Sequence, residues 1–136
     1  MCSSDLATTL YTAAQAYNLA LNASTGTITN AVSMINTGTV TLGTSGGTLA
    51  FTGGLTATAP SAISLSGTLS TNSAVISIGA SSKTLTLVSD GTINTYADSG
   101  AGAAITIGGP IQATSAGTQS LTLISKGGAE IGRAHV

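Results

Sequence analysis

From about Thr25 onward this chain alternates aliphatic and hydroxyl side chains in short runs, so that every second residue shares a face. Thr27-Ile28-Thr29, Thr39-Val40-Thr41-Leu42, Ile63-Ser64-Leu65, Ile76-Ser77-Ile78, Thr84-Leu85-Thr86-Leu87-Val88, Ile105-Thr106-Ile107 and Leu121-Thr122-Leu123-Ile124 all have this form. A period of two among residues that favour the extended backbone predicts half-buried strands, aliphatics inward and hydroxyls outward. Between the runs lie Gly43-Thr44-Ser45-Gly46-Gly47, Gly53-Gly54, Ser89-Asp90-Gly91, Gly108-Gly109-Pro110 and Ser125-Lys126-Gly127-Gly128. Their Gly, Asp and Pro residues supply the backbone angles of tight corners. Residues 12–21 contain alanines that would tolerate a helix, but Tyr17, Leu19 and Leu21 alternate, which points to a strand.

The strands also repeat. Leu49-Ala50-Phe51, Leu85-Thr86-Leu87 and Leu121-Thr122-Leu123 recur at an offset of 36 residues, each after Thr48, Thr84 or Ser120. That offset suggests two coils of a solenoid, whose units bury their apolar faces only by stacking on neighbours. On this register Leu49, Phe51, Leu85, Leu87, Leu121 and Leu123 should point inward on equivalent walls, with Thr48, Thr84 and Ser120 outside. The fold expected is all-β, a β-solenoid. A β-sandwich is the alternative, since short strands at regular spacing are also its signature. Against the sandwich, aromatic residues make up 3% of the chain, so the core must be thin layers of small aliphatics.

Composition narrows the function. The chain is 42% apolar with a positive mean hydropathy, which argues for folding rather than disorder despite its scarcity of charge. It has three basic and four acidic residues. No Lys/Arg cluster offers itself to nucleic acid or to an anionic membrane surface, and no apolar run approaches the roughly 18 residues of a membrane span.

The two ends have a separate origin. Ile131-Gly132-Arg133-Ala134-His135-Val136 back-translates to ATC GGA AGA GCA CAC GTC, and Met1-Cys2-Ser3-Ser4-Asp5-Leu6 to GTG TGC TCT TCC GAT CT with GTG as the start codon. The strings are reverse complements over AGATCGGAAGAGCACAC, which resembles a common sequencing adapter read once on each strand. Residues 1–6 and 130–136 are therefore expected to be adapter-derived and to contribute little to the core, leaving residues 7–129 as the repeat, an internal piece of a longer gene. The chain's only Cys, His and Arg (Cys2, His135 and Arg133) fall in those ends, and the charges left are Lys83, Lys126, Asp90 and Asp98.

Asn36-Thr37-Gly38-Thr39-Val40-Thr41-Leu42-Gly43, Phe51-Thr52-Gly53-Gly54-Leu55-Thr56-Ala57-Thr58-Ala59-Pro60 and Ala104-Ile105-Thr106-Ile107-Gly108-Gly109-Pro110-Ile111 resemble the repeats of very large bacterial surface proteins. These are the filamentous-haemagglutinin-like exoproteins and autotransporter passengers. The resemblance covers most of residues 7–129 through composition and strand pattern. It implies a right-handed parallel β-helix, exported and displayed as a secreted stalk or adhesin on the bacterial outer surface, with glycans or proteins of host or neighbouring cells as partners.

Motifs that would carry catalysis fail one by one. Gly43-Thr44-Ser45-Gly46-Gly47 matches the G-x-S-x-G nucleophile elbow, but no helix is predicted to follow and the repeat has no histidine base. Ser81-Ser82-Lys83-Thr84 ends like a phosphate loop without its glycines, and Gly100-Ala101-Gly102-Ala103-Ala104-Ile105 lacks the third glycine of a dinucleotide fingerprint. Asp90 and Asp98 are the only carboxylates for a polysaccharide-acting β-helix enzyme, and each sits in a turn. Calcium wants more oxygen ligands than these supply. No catalytic, cofactor or metal residue is therefore assigned. The Thr-x-Thr pairs 25/27/29, 37/39/41, 56/58 and 84/86 raise a further alternative, an ice-binding hydroxyl lattice.

Overall fold

The structure, a computed structural model, describes residues 5–127 and 130–132, and these contain strands without a helix. In chain order the strands are β1 (Asp5–Ala7), β2 (Leu19–Leu21), β3 (Thr25–Ile28), β4 (Val32–Ser33), β5 (Thr39–Leu42), β6 (Thr48–Phe51) and β7 (Leu55–Ala57). There follow β8 (Ala62–Ser70), β9 (Ile76–Ile78), β10 (Leu85–Asn94), β11 (Ile105–Ile107), β12 (Ile111–Ala113), β13 (Leu121–Ile124) and β14 (Glu130–Gly132). Every run predicted to be a strand lies within or overlaps one of these. Residues 12–21 are strand only at β2.

All ladders between these strands are parallel, which excludes the sandwich. The chain winds through about five stacked turns, a β-solenoid. One face stacks β1, β3, β6, the end of β8, the end of β10, and β13. The second stacks β4, β7, β9, β11 and β14. The third stacks β2, β5, the start of β8, the start of β10, and β12. β8 and β10 are long because each turns the corner from the third face into the first, with a register shift between Leu87 and Gly91.

The core follows from this register. Leu19, Val40, Ile63, Leu85 and Ile111 form one inward column, and Leu21, Leu42, Leu65, Leu87 and Ala113 another. Val32, Leu55, Ile76 and Ile105 line the second face, and Leu49, Leu69, Ile93 and Leu123 the first. Like stacks on like because neighbouring strands sit only about 4.8 Å apart, and small aliphatics of similar shape fill that spacing without voids. The single Phe, Phe51, is fully buried among them.

The 36-residue offset is corrected by this register. Leu49 pairs with Leu69, Leu85 with Ile63, and Leu121 with Gly91, so the three leucine pairs do not form one stack. One coil separates Gly26, Leu49, Leu69, Ile93 and Leu123, with spacings of 23, 20, 24 and 30 residues. Leu49, Phe51, Leu85 and Leu87 are buried as expected, whereas Leu121 and Leu123 are only half-buried. Thr48 and Ser120 are exposed and Thr84 is half-buried.

The glycine corners are steric necessities. Gly43 has φ +77, and a Cβ there would lie 2.2 Å from the carbonyl oxygen of Ser66; Gly67 has φ +71 and would meet the carbonyl oxygen of Thr44 at 2.4 Å. Stacked corners approach backbone to backbone, and only glycine fits.

The ladders run into the two terminal segments. Asp5–Ala7 pairs with Gly26–Ile28 and Glu130–Gly132 with Ile105–Ile107. Backbone pairing at an open edge is indifferent to side-chain identity, and Leu6 is 73% exposed. Cys2, Arg133 and His135 lie outside the described residues.

Candidate functional site

Asp90, Asp98, Lys83 and Lys126 are staples between coils. Asp90 accepts from the Ser120 backbone N–H at 2.8 Å and from its hydroxyl at 3.0 Å. Asp98 accepts from the Ser73 hydroxyl at 2.9 and 3.1 Å, and from the Gly100 N–H at 3.1 Å. The Lys83 ammonium donates to the carbonyls of Thr58 and Ala59, and that of Lys126 donates to the Tyr96 hydroxyl at 2.7 Å while sitting 4.3 Å from the ring centroid. Apart from the local Gly100 bond, these contacts span 24 to 30 residues, one coil. The Ser120 backbone N–H, then its hydroxyl, holds Asp90 below the usual carboxylate range; the Gly100 N–H, then the Ser73 hydroxyl, does so for Asp98.

The motifs tested in the sequence resolve into this architecture. Gly43 to Gly47 is the corner joining β5 to β6, and Ser45 is exposed there. Ser81-Ser82-Lys83-Thr84 is the turn into β10, with its lysine engaged across the stack. Gly100 to Ile105 runs from an exposed loop into β11. Asp90 and Asp98 flank opposite ends of the extended segment 91–94, roughly 13 Å of strand. Asp98 sits four residues beyond that segment, in the loop 96–102, and the two carboxylates have separate partners, Ser120 for Asp90 and Ser73 with Gly100 for Asp98.

Two features of the outer surface went unseen in the sequence. The first is a column of five threonines, Thr25, Thr48, Thr68, Thr92 and Thr122, in direct register along the outside of the first face. The adjoining outward column is mixed: Thr27, Ala50, Ser70, Asn94 and Ile124. Of the five threonines only Thr25 belongs to a Thr-x-Thr run that spacing alone would notice, and coils of 20 to 30 residues hide the alignment of the rest.

The second is a polar groove of about 550 Å3 where the third face turns into the first. Ser45, Gly46, Gly67, Thr68, Val88, Ser89, Asp90, Thr92, Thr118 and Gln119 line it. Two of its walls are members of the threonine column. Sequence reasoning named Asp90 but missed the groove, since its residues come from four successive corners.

A contrasting apolar cleft of about 400 Å3 opens at the first coil, lined by Leu10, Leu21, Ile28, Leu49 and smaller residues. Its cause is Gly26, which holds the inward position that Leu49, Leu69, Ile93 and Leu123 fill in later coils.

No family model, curated protein or solved structure matches this chain.

Proposed function

We propose that this chain is a structural and adhesive segment of a large secreted bacterial surface protein. The observation that carries this is the use of side chains: Asp90, Asp98, Lys83 and Lys126 are spent on coil-to-coil hydrogen bonds, and the outward strand positions are mostly Thr, Ser and other uncharged residues. A rod with continuous backbone pairing along one axis extends reach, and its long hydroxyl faces suit many weak contacts. Each contact is feeble, and repetition along a longer array and across a cell surface multiplies them. The test is adhesion of beads densely coated with the chain to cell surfaces and immobilised glycans, against beads coated with a charge-matched unfolded control. Binding that rises steeply with coating density supports the assignment; binding no better than the control overturns it.

The threonine column favours a second reading, ice binding, in which ranked hydroxyls and methyls order water. The mixed second column, with Ala50 and Ile124 in place of threonine, interrupts such a lattice. Thermal hysteresis separates the readings: clear hysteresis, lost in a Thr48→Lys variant on the column, would replace the adhesive assignment.

A further inference from the structure

We infer that the corner groove is a binding site for a neutral saccharide, one or a few pyranose units long; this rests on the adhesive reading and gives it a location. Its capacity of about 550 Å3 lies within the range of roughly 300–1,000 Å3 typical of small-molecule sites. The chemistry of the lining selects the ligand. Both hydrogen bonds that Asp90 receives from Ser120 end on Oδ1. A carboxylate offers about four acceptor positions, two on each oxygen, so the two on Oδ2 remain for a ligand that donates.

The side-chain hydroxyls of Thr68 and Thr92 have no hydrogen-bond partner among the described residues and can donate or accept. Val88 is 47% exposed beside them and supplies an apolar surface. A ligand matched to this set carries several hydroxyls able to give and take hydrogen bonds around a C–H face. That describes a pyranose. An anionic sugar is disfavoured by Asp90, which is ionised at neutral pH with its carboxyl held below the usual range. A metal ion finds a single carboxylate here, too few hard ligands for calcium. The space beside Gly46 is open, since a Cβ there would meet nothing within 4 Å, so a ligand can reach the groove past it.

The experiment is a heteronuclear NMR titration of the folded chain with methyl glycosides of glucose, galactose, mannose and N-acetylglucosamine, then with their disaccharides, and with calcium chloride alone. Expected are saturable shifts at millimolar sugar confined to the amides of residues 45–46, 67–68, 88–92 and 118–119. Asp90→Asn and Thr92→Val should each weaken binding about five-fold or more, while Thr106→Val, on the outside of the second face, leaves it unchanged. Spectra away from the groove report whether each variant is folded. Thr68→Val, which removes the other free hydroxyl of the groove, should also weaken binding and serves as the loss-of-binding variant if Asp90→Asn disturbs the corner. No saturable shift with any sugar, shifts spread over the rod, binding indifferent to both Asp90→Asn and Thr92→Val, or a response to calcium alone each overturns the inference. Beads that adhere while the groove stays silent remove only the groove; sugar bound in the groove without bead adhesion removes only the adhesive role.

Discussion

Leu85 and Val88 are three residues apart on the same strand, yet one is 1% and the other 47% exposed. The difference makes a sharp test of the register. Leu85 stacks between Ile63 and Ile111, so Leu85→Asp places a carboxylate among aliphatics without a partner and should abolish cooperative folding. Val88→Asp should change stability by no more than about 0.5 kcal/mol, as surface substitutions usually do. Urea denaturation followed by circular dichroism compares them, and similar losses would show the register to be wrong.

Acid should act through the coil staples. Asp90 and Asp98 are depressed by their hydrogen bonds, so their stabilising contribution is present above the unfolded carboxylate value of about 3.9 and is lost as pH falls through the lower folded values. Melting temperature should therefore be flat with respect to these groups from pH 7 to about 5 and drop below about 4. The Asp90→Asn/Asp98→Asn double variant should show a smaller drop than the parent, and equal drops would remove the staples from the account.

At the scale of elements, one inward column changes character along the stack. Ile28 and Phe51 pair at the end of the first face. One residue beyond the paired Ser70, Asn94 and Ile124, the buried residues are instead Thr71, Thr95 and Ser125. The substitution of hydroxyl for hydrocarbon follows from the loops that leave there. Thr71 donates to the Ala74 carbonyl, while Thr95 donates to the Ala103 carbonyl at 2.6 Å and accepts from the Ala103 N–H at 3.2 Å, closing the base of the loop 96–102. Thr95→Val keeps the shape but leaves both Ala103 groups without that partner, which should cost about 1–3 kcal/mol. Limited proteolysis should then cut within residues 96–102 before the strands open. Unchanged cleavage and stability would show that the loop does not depend on the hydroxyl.

The strands were legible in the sequence because alternation is local, and so were the corners, because the positive φ at residues such as Gly43, Gly46 and Gly54 calls for glycine whatever coil lies beside it. Stacking was not. Coil length varies with each loop, so Leu49, Leu85 and Leu121 look like one repeat while belonging to three different pairings. The same variation concealed the threonine column and the groove, whose residues meet only once the coils are wound. Asp90 was visible as a turn residue, but its partner Ser120 lies 30 residues away.

At the scale of the whole molecule, every coil but the outermost has both edges paired. Among the described residues β1, β2 and β4 leave one edge open, and β12, β13 and β14 the other. Among the described residues no helix folds across either end. The first-coil end also exposes the apolar cleft above Gly26 and Leu49, and the other end exposes Ile124 with half-buried Leu121 and Leu123. Because all ladders are parallel, the edge open at one end matches the hydrogen-bonding sense of the edge open at the other, so two copies can stack head to tail. Such a contact is heterologous and does not close on itself. With a formal net charge of −1, little repulsion opposes it. Sedimentation velocity should show monomer at low micromolar concentration and a mean mass that rises with concentration without reaching a plateau. Added salt should not reverse the association, since backbone pairing and apolar burial drive it rather than ion pairs. Leu10→Asp, which charges the rim of the first-coil cleft, should restore monomer without altering the spectrum of the strands. A parent chain that stays monomeric up to high micromolar concentration would show that its ends protect themselves.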